Sequence, residues 1–363
     1  MRPDEVLDDL VARGQEPGGA VAVVRGGEVE VDHAAGTRGA DGAPFTCDTL
    51  VMTYSVAKPV AACATLSAVA DGYLELDLPV AEVWPDYAAH GKSGTTVRHL
   101  LSHAAGLPSF PPEAVDVAFD DRDTLVALLA GAEPAHAPGV EVAEHALTYG
   151  HLLDEVVRRA GAGSLADRFA RVAAGAGWDL HLVVPETALP RVAEVTVLDP
   201  ASWPSAYLED PRWGPALGRP RGLLDPAVLN STRWRRTSFP AIGLHATALA
   251  LAAFHDDLLR PDGHVAGALG HELWTAYLEP AASGHDRVLD RPVTWSLGHQ
   301  LDEEELPNGR VQREIGMGGA GGCAAWAVVD EGYGAAYVGR GLGSHDRSGA
   351  IWDAVTATAG RSR

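Results

Sequence analysis

Leu50-Val51-Met52-Thr53-Tyr54-Ser55-Val56-Ala57-Lys58-Pro59 is the stretch on which the reading of the chain turns. Its first five residues have the apolar, β-branched look of a short strand. From Ser55 to Gly72 the residues are mostly Ala, Val and Leu without alternation, which predicts a largely buried helix stopped by Gly72. On a helix, residues three apart are separated by roughly 300° and about 4.5 Å, so Ser55 and Lys58 share one face. Ser55 falls in the first turn, where free amide N–H groups favour developing negative charge, and Pro59 is tolerated there for the same reason. An apolar setting would lower the proton affinity of Lys58 and let its neutral amine take the proton of Ser55. The plain alternative is a serine cap beside a surface lysine.

Composition favours the chemical reading. Of 28 basic residues only Lys58 and Lys92 are lysines. A sequence that writes Arg wherever a generic cation will do keeps Lys where a removable proton is wanted. Lys92 lies in the polar turn His90-Gly91-Lys92-Ser93-Gly94 and is expected to be solvated.

The 363 residues carry a formal charge of −21 and 46% hydrophobic residues, enough for one large α/β unit. The negative charge is spread along the chain and argues against nucleic acid or an anionic membrane surface as partner. The acidic opening (Asp4, Glu5, Asp8, Asp9) and the three scattered cysteines, Cys47, Cys63 and Cys323, lead to an expectation of a cytoplasmic protein with reduced thiols. His99 and His103, spaced i, i+4, lack a third ligand or an adjacent acid, so neither a metal nor another cofactor is expected.

Strand signals fall at both ends of the chain: a hairpin over 18–35, and strands over 321–329 and 333–339 joined by Asp330-Glu331-Gly332, followed by a helix over 348–359. Helices are expected at 95–103, 148–160, 164–174 and 247–259, the last capped by Thr247. This predicts one antiparallel sheet built from 1–50 and 240–363, flanked by helices, with a mostly helical lobe over 51–239. The Pro- and Trp-rich stretch 183–230, with Trp203, Tyr207 and Trp213, reads as a lid or a long packed loop. Trp213 is a weaker candidate for substrate contact. The acidic run Asp302 to Glu305 reads as solvated surface.

Taken in order, Tyr54 to Pro59, Asp71-Gly72-Tyr73-Leu74, Asp77-Leu78-Pro79-Val80, Val83-Trp84-Pro85, Thr96-Val97-Arg98-His99-Leu100-Leu101-Ser102-His103 and Gly106-Leu107-Pro108 resemble the serine β-lactamase-like family. This is the group of penicillin-binding proteins, large β-lactamases, related esterases and acyltransferases. Leu229-Asn230-Ser231 and Gly243-Leu244-His245-Ala246-Thr247 resemble its esterase branch. The resemblance implies a β-lactamase-like α/β fold and an acyl-enzyme on Ser55. It maps the family's Tyr-x-Asn element onto Tyr149-Gly150-His151, placing Tyr149 beside Ser55 and Lys58 in the proton relay, with His151 in the Asn position as a weaker substrate contact. It maps the Lys-Thr-Gly or His-x-Gly strand onto Met317-Gly318-Gly319-Ala320. The N–H groups of Ser55 and Ala320 would then form the oxyanion hole. Met317, Gly318 and Gly319 would line the substrate. A thioether cannot hold a carboxylate, so a small-molecule ester or amide fits better than a β-lactam acid. Release to water gives an esterase; release to an amine or alcohol acceptor gives an acyltransferase, as in natural-product tailoring. The rivals are a β-lactamase or D-amino-acid peptidase, and a catalytically silent binding module on the same fold.

Overall fold

In the computed structural model, described for residues 1–306 and 309–359, the longer elements are numbered in chain order. They begin with helix α1 (Pro3–Ala12) and the hairpin β1 (Gly18–Arg25) and β2 (Glu28–Gly36), followed by helices α2 (Ala57–Ala70), α3 (Val97–Leu101), α4 (Thr148–Arg159) and α5 (Ala248–Leu258). Strands β3 (Ala282–Asp286), β4 (Arg291–Trp295), β5 (Gln300–Glu305), β6 (Val311–Gly318), β7 (Ala324–Val328) and β8 (Tyr333–Gly339) follow, and α6 (Asp346–Ala359) is last. Among the described residues these strands form one antiparallel sheet of eight, in the order β2-β1-β8-β7-β6-β5-β4-β3.

From Gly18 to Val24 β1 is apolar because both of its faces are covered. Ala20, Ala22 and Val24 join the main core, whereas Val21 and Val23 pack with Leu7, Leu10, Ile351 and Val355 from α1 and α6. On the main-core side α5 lies so close to β8 that a Cβ on Gly334 would sit 2.2 Å from the Ala252 carbonyl oxygen. A buried carboxylate fastens this edge. Glu16 accepts from the N–H of Gly18 (3.3 Å), the N–H of Gly341 (3.0 Å), the Tyr337 hydroxyl (2.7 Å) and the Arg347 guanidinium.

The sheet-plus-helix architecture agrees with the sequence reading, with particular differences. α1 and strands β3 to β5 have no counterpart in the sequence reading, and β6 only its Met317-Gly318 end. β5 is Gln-Leu followed by four acids, so its alternation is masked, and its outer half is exposed. The expected helix from Ser55 is divided: a 3-10 turn holds Tyr54–Val56, and the α-helix proper starts at Ala57. Its body is buried on every side, as an evenly apolar helix must be. Thr247 caps α5 through the Ala250 N–H at 3.2 Å. No helix among the described residues is long and apolar enough to cross a membrane.

Lys92 departs most clearly from expectation. It is buried, and its ammonium donates to the carbonyls of Ala89 (2.9 Å), Ala130 (3.1 Å) and Ala132. The polar turn around it is exposed at Gly91 and Ser93, but the four-carbon stem of the lysine runs inward.

Candidate active site

Val51–Met52 pairs with His245–Ala246 in a small second sheet, and the Thr53 N–H donates to the Leu244 carbonyl at 2.9 Å. The chain therefore arrives at Ser55 from a fixed strand. Tyr54 has a φ of +51°, a conformation that costs a non-glycine residue energy and persists only where its surroundings enforce it. Its hydroxyl reaches the Leu223 carbonyl (3.2 Å) and its ring meets Trp203 edge-on at 6.2 Å. The strained corner delivers Ser55 to the floor of a cleft of about 430 Å³.

Lys58 is fully buried, and its Nζ lies 2.6 Å from Ser55 Oγ. Nζ is also 3.1 Å from Oε1 of Glu144, whose side chain is 4% exposed and which lines the cleft beside Ser55. Burial pulls the lysine below its ordinary pKa, and the Glu144 carboxylate works against that shift.

The chain around Glu144 is fixed through its neighbour His145. Nδ1 of His103 accepts from the N–H of His145 (3.0 Å), and Nε2 of His145 accepts from the N–H of Leu107 (3.1 Å). The Nδ1–H of His145 then donates to the Ala143 carbonyl (2.8 Å). Burial drives His145 down to about 3 and His103 well below its usual value, so both remain neutral supports.

β6 forms the facing wall. It loses its β5 partner after Gly316, which pairs with Gln300, so residues 317–320 present a backbone edge to the cleft. A Cβ on Gly319 would fall 2.2 Å from the Thr53 carbonyl oxygen, so only glycine lets this strand pass against the Ser55 corner. The Ala320 N–H has no hydrogen-bond partner among the described residues, while its carbonyl accepts from the Tyr207 hydroxyl at 2.9 Å. Tyr207 belongs to an edge-to-face ladder, 5.4 Å from Trp203 and 5.7 Å from Trp213. Tyr207, Trp213 and Leu217 line the cleft from this side.

A family described as Beta-lactamase matches residues 4–359. The chain belongs to that family. The esterase/beta-lactamase LipL of Mycobacterium tuberculosis is 29% identical over 335 residues, covering 87% of this chain and 75% of that protein. The crystal structure of a penicillin-binding protein homologue from Caulobacter crescentus superposes with a TM-score of 0.82 at 30% identity, covering 98% of this chain and 96% of that one. A family VIII carboxylesterase gives 0.81 at 26% identity, again over 98% and 96%.

Set in the β-lactamase family's frame, the residues singled out from sequence separate into two groups. Ser55, Met317, Gly318, Gly319, Ala320 and Trp213 all line the cleft, and Lys58 lies beneath it. Tyr149 and His151 do not reach it. The Tyr149 hydroxyl donates to the Leu101 carbonyl (3.1 Å), its ring stacks on His103 at 4.7 Å, and no hydrogen bond joins it to Ser55 or Lys58. α4 begins at Thr148 as expected, but its first turn directs Tyr149 into the helix core, and the segment before the helix brings Glu144 to the lysine instead. His151 lies edge-on against Phe110 (5.4 Å) and Phe239 (4.5 Å), and burial lowers it to about 4. Glu144 was missed, although an acid inside the apolar run Val142-Ala143-Glu144-His145-Ala146-Leu147 was a readable signal.

Met317 packs with Val142, Val293 and Trp295 and leaves no cation at that point of the wall. Arg291 is the arginine in the cleft lining, and it faces Asp302 at 3.8 Å.

Proposed function

We propose that this chain is a serine acyl-enzyme that cleaves a small-molecule ester or amide, with Ser55 as nucleophile and Lys58 handling its proton. The observation that carries the reading is the 2.6 Å contact between the buried Lys58 nitrogen and the hydroxyl on the cleft floor. Ser55 Oγ attacks the carbonyl while its proton enters the hydrogen bond to Lys58. The oxyanion takes the N–H groups of Ser55 and Ala320, and the unpartnered Ala320 amide supports that assignment. The proton passes to the departing alcohol or amine. Water or an acceptor alcohol or amine then attacks the acyl-serine, and the reverse transfer frees Ser55.

The apolar wall of Met317, Leu217, Trp213 and Leu289 suits an uncharged acyl group, and makes a carboxylate-bearing β-lactam the lesser substrate. An aromatic strap over the acyl-enzyme would keep water scarce and favour transfer to an acceptor, the kind of step found in natural-product tailoring. Three cysteines free of disulfides support a reducing compartment such as the cytoplasm. The test is labelling with a fluorophosphonate probe followed by peptide mapping. The adduct is expected on Ser55 and lost in Ser55→Ala; an adduct elsewhere, or none, overturns the reading. Hydrolysis of p-nitrophenyl esters with and without added amines then reads out water against transfer.

A further inference from the structure

We infer that Glu144 is the terminal proton acceptor of the acyl-transfer step, with Lys58 acting as a relay that is an ammonium both before and after it. The inference rests on the serine acyl-enzyme reading above and adds a third member to it.

Three atoms are joined through Nζ: Ser55 Oγ lies 2.6 Å from Lys58 Nζ, and Glu144 Oε1 lies 3.1 Å from it. At rest the pair is an ammonium beside a carboxylate, joined at 3.1 Å and sharing one dissociable proton. Taking the proton of Ser55 brings the pair to its fully protonated form, ammonium plus carboxylic acid. The added proton therefore ends on Glu144. As the Oγ–C bond forms, Nζ gains the serine proton and passes one of its own to Oε1. When the ester or amide bond breaks, the same proton returns through Nζ to the departing oxygen or nitrogen. In deacylation the attacking water, alcohol or amine loses a proton to Glu144, and that proton goes back to Ser55 Oγ. The positive charge of Lys58 stays beside the serine oxygen throughout, where negative charge develops. A lone neutral amine would supply no such charge in the resting state.

The surrounding groups keep out of this exchange. His103 and His145 are neutral at ordinary pH, and Tyr207, the phenol nearest Glu144 on the strap, is pushed up to about 12 by burial and by that carboxylate. Tyr149 spends its proton on Leu101.

The two models of activation predict opposite results for Glu144→Gln in the full chain, assayed with p-nitrophenyl butyrate. If a neutral Lys58 were the sole base, removing the carboxylate that holds its proton would leave kcat unchanged or raise it. With Glu144 as acceptor, kcat falls at least about 100-fold while KM moves less than about threefold. Glu144→Ala adds a readout that a structural role would not move: because the residue lines the cleft, added sodium formate should restore kcat in proportion to its concentration. Unchanged kcat in E144Q, or E144A that melts as wild type does and ignores formate, overturns the inference while leaving Ser55 labelling intact. Absence of Ser55 labelling and turnover in the wild type overturns the reading beneath it as well.

Discussion

The two lysines of this chain occupy two buried places and do different things there. Lys92 faces three main-chain carbonyls, a set of acceptors that can neither take nor return a proton. Lys58 faces a hydroxyl and a carboxylate, both able to exchange one. Both positions need a compact group with three donors that a planar guanidinium would not match, which explains why arginine has displaced lysine elsewhere and not here. Scarcity marks the burial of an ammonium; the partners decide whether it is chemistry or framework.

The largest effect that would sharpen this contrast is on turnover. Lys58→Arg keeps a positive charge for Glu144 but cannot pass a proton on, and is expected to lower kcat by about 10³-fold or more. Near wild-type kcat in a stopped-flow or steady-state ester assay would break the comparison at its catalytic end. Next is stability. Lys92→Met strands three acceptors that lose their shared donor, and is expected to cost about 2–4 kcal/mol in urea unfolding, with kcat unchanged below the melting range. A loss of kcat without loss of stability would assign Lys92 the role denied to it here.

The smallest effect is a local one in acid. His103, His145 and His151 are buried neutral around α4, with folded-state pKa values below the unfolded value near 6.5. Their contribution is intact above pH 6.5 and is lost as pH falls from there towards about 4, by up to about 1.4 kcal/mol per pH unit for each group. The Lys92 surroundings, residues 85–94 and the helix Arg122–Gly131, contain no buried histidine. Hydrogen exchange at pH 5 against pH 7, corrected for intrinsic rates, should therefore show α4 losing protection before those residues. Equal loss in both regions would remove the distinction.

What could be read from the chain divides along the same line. The Ser55–Lys58 contact was legible because helix periodicity alone puts those side chains together. The hairpin at the β2 edge of the sheet was legible from the apolar run of β1. Tyr149 was misplaced although the helix start was read correctly at Thr148: the resemblance set it in the relay, whereas the first turn of α4 stacks its ring on His103. Glu144 was hidden because its partner is 86 residues away, and no local period reports such a contact. Lys92 looked solvated because its neighbours are polar, although burial of a long side chain is settled by the helix that packs over it. Strands β3 to β5 escaped because strands with one wet face can carry acids and glycine in place of a regular alternation.

The neighbour of β1 in the sheet has a consequence for how the molecule is made. β1 pairs on one side with β2, immediately after it, and on the other with β8, Gly19 opposite Gly339. During synthesis at roughly 5–20 residues per second, the hairpin waits roughly 15–60 s for that partner. Throughout this interval the apolar strand presents an open hydrogen-bonding edge, with the contacts to α6 still unmade, and that edge stays available for wrong pairing until β8 emerges.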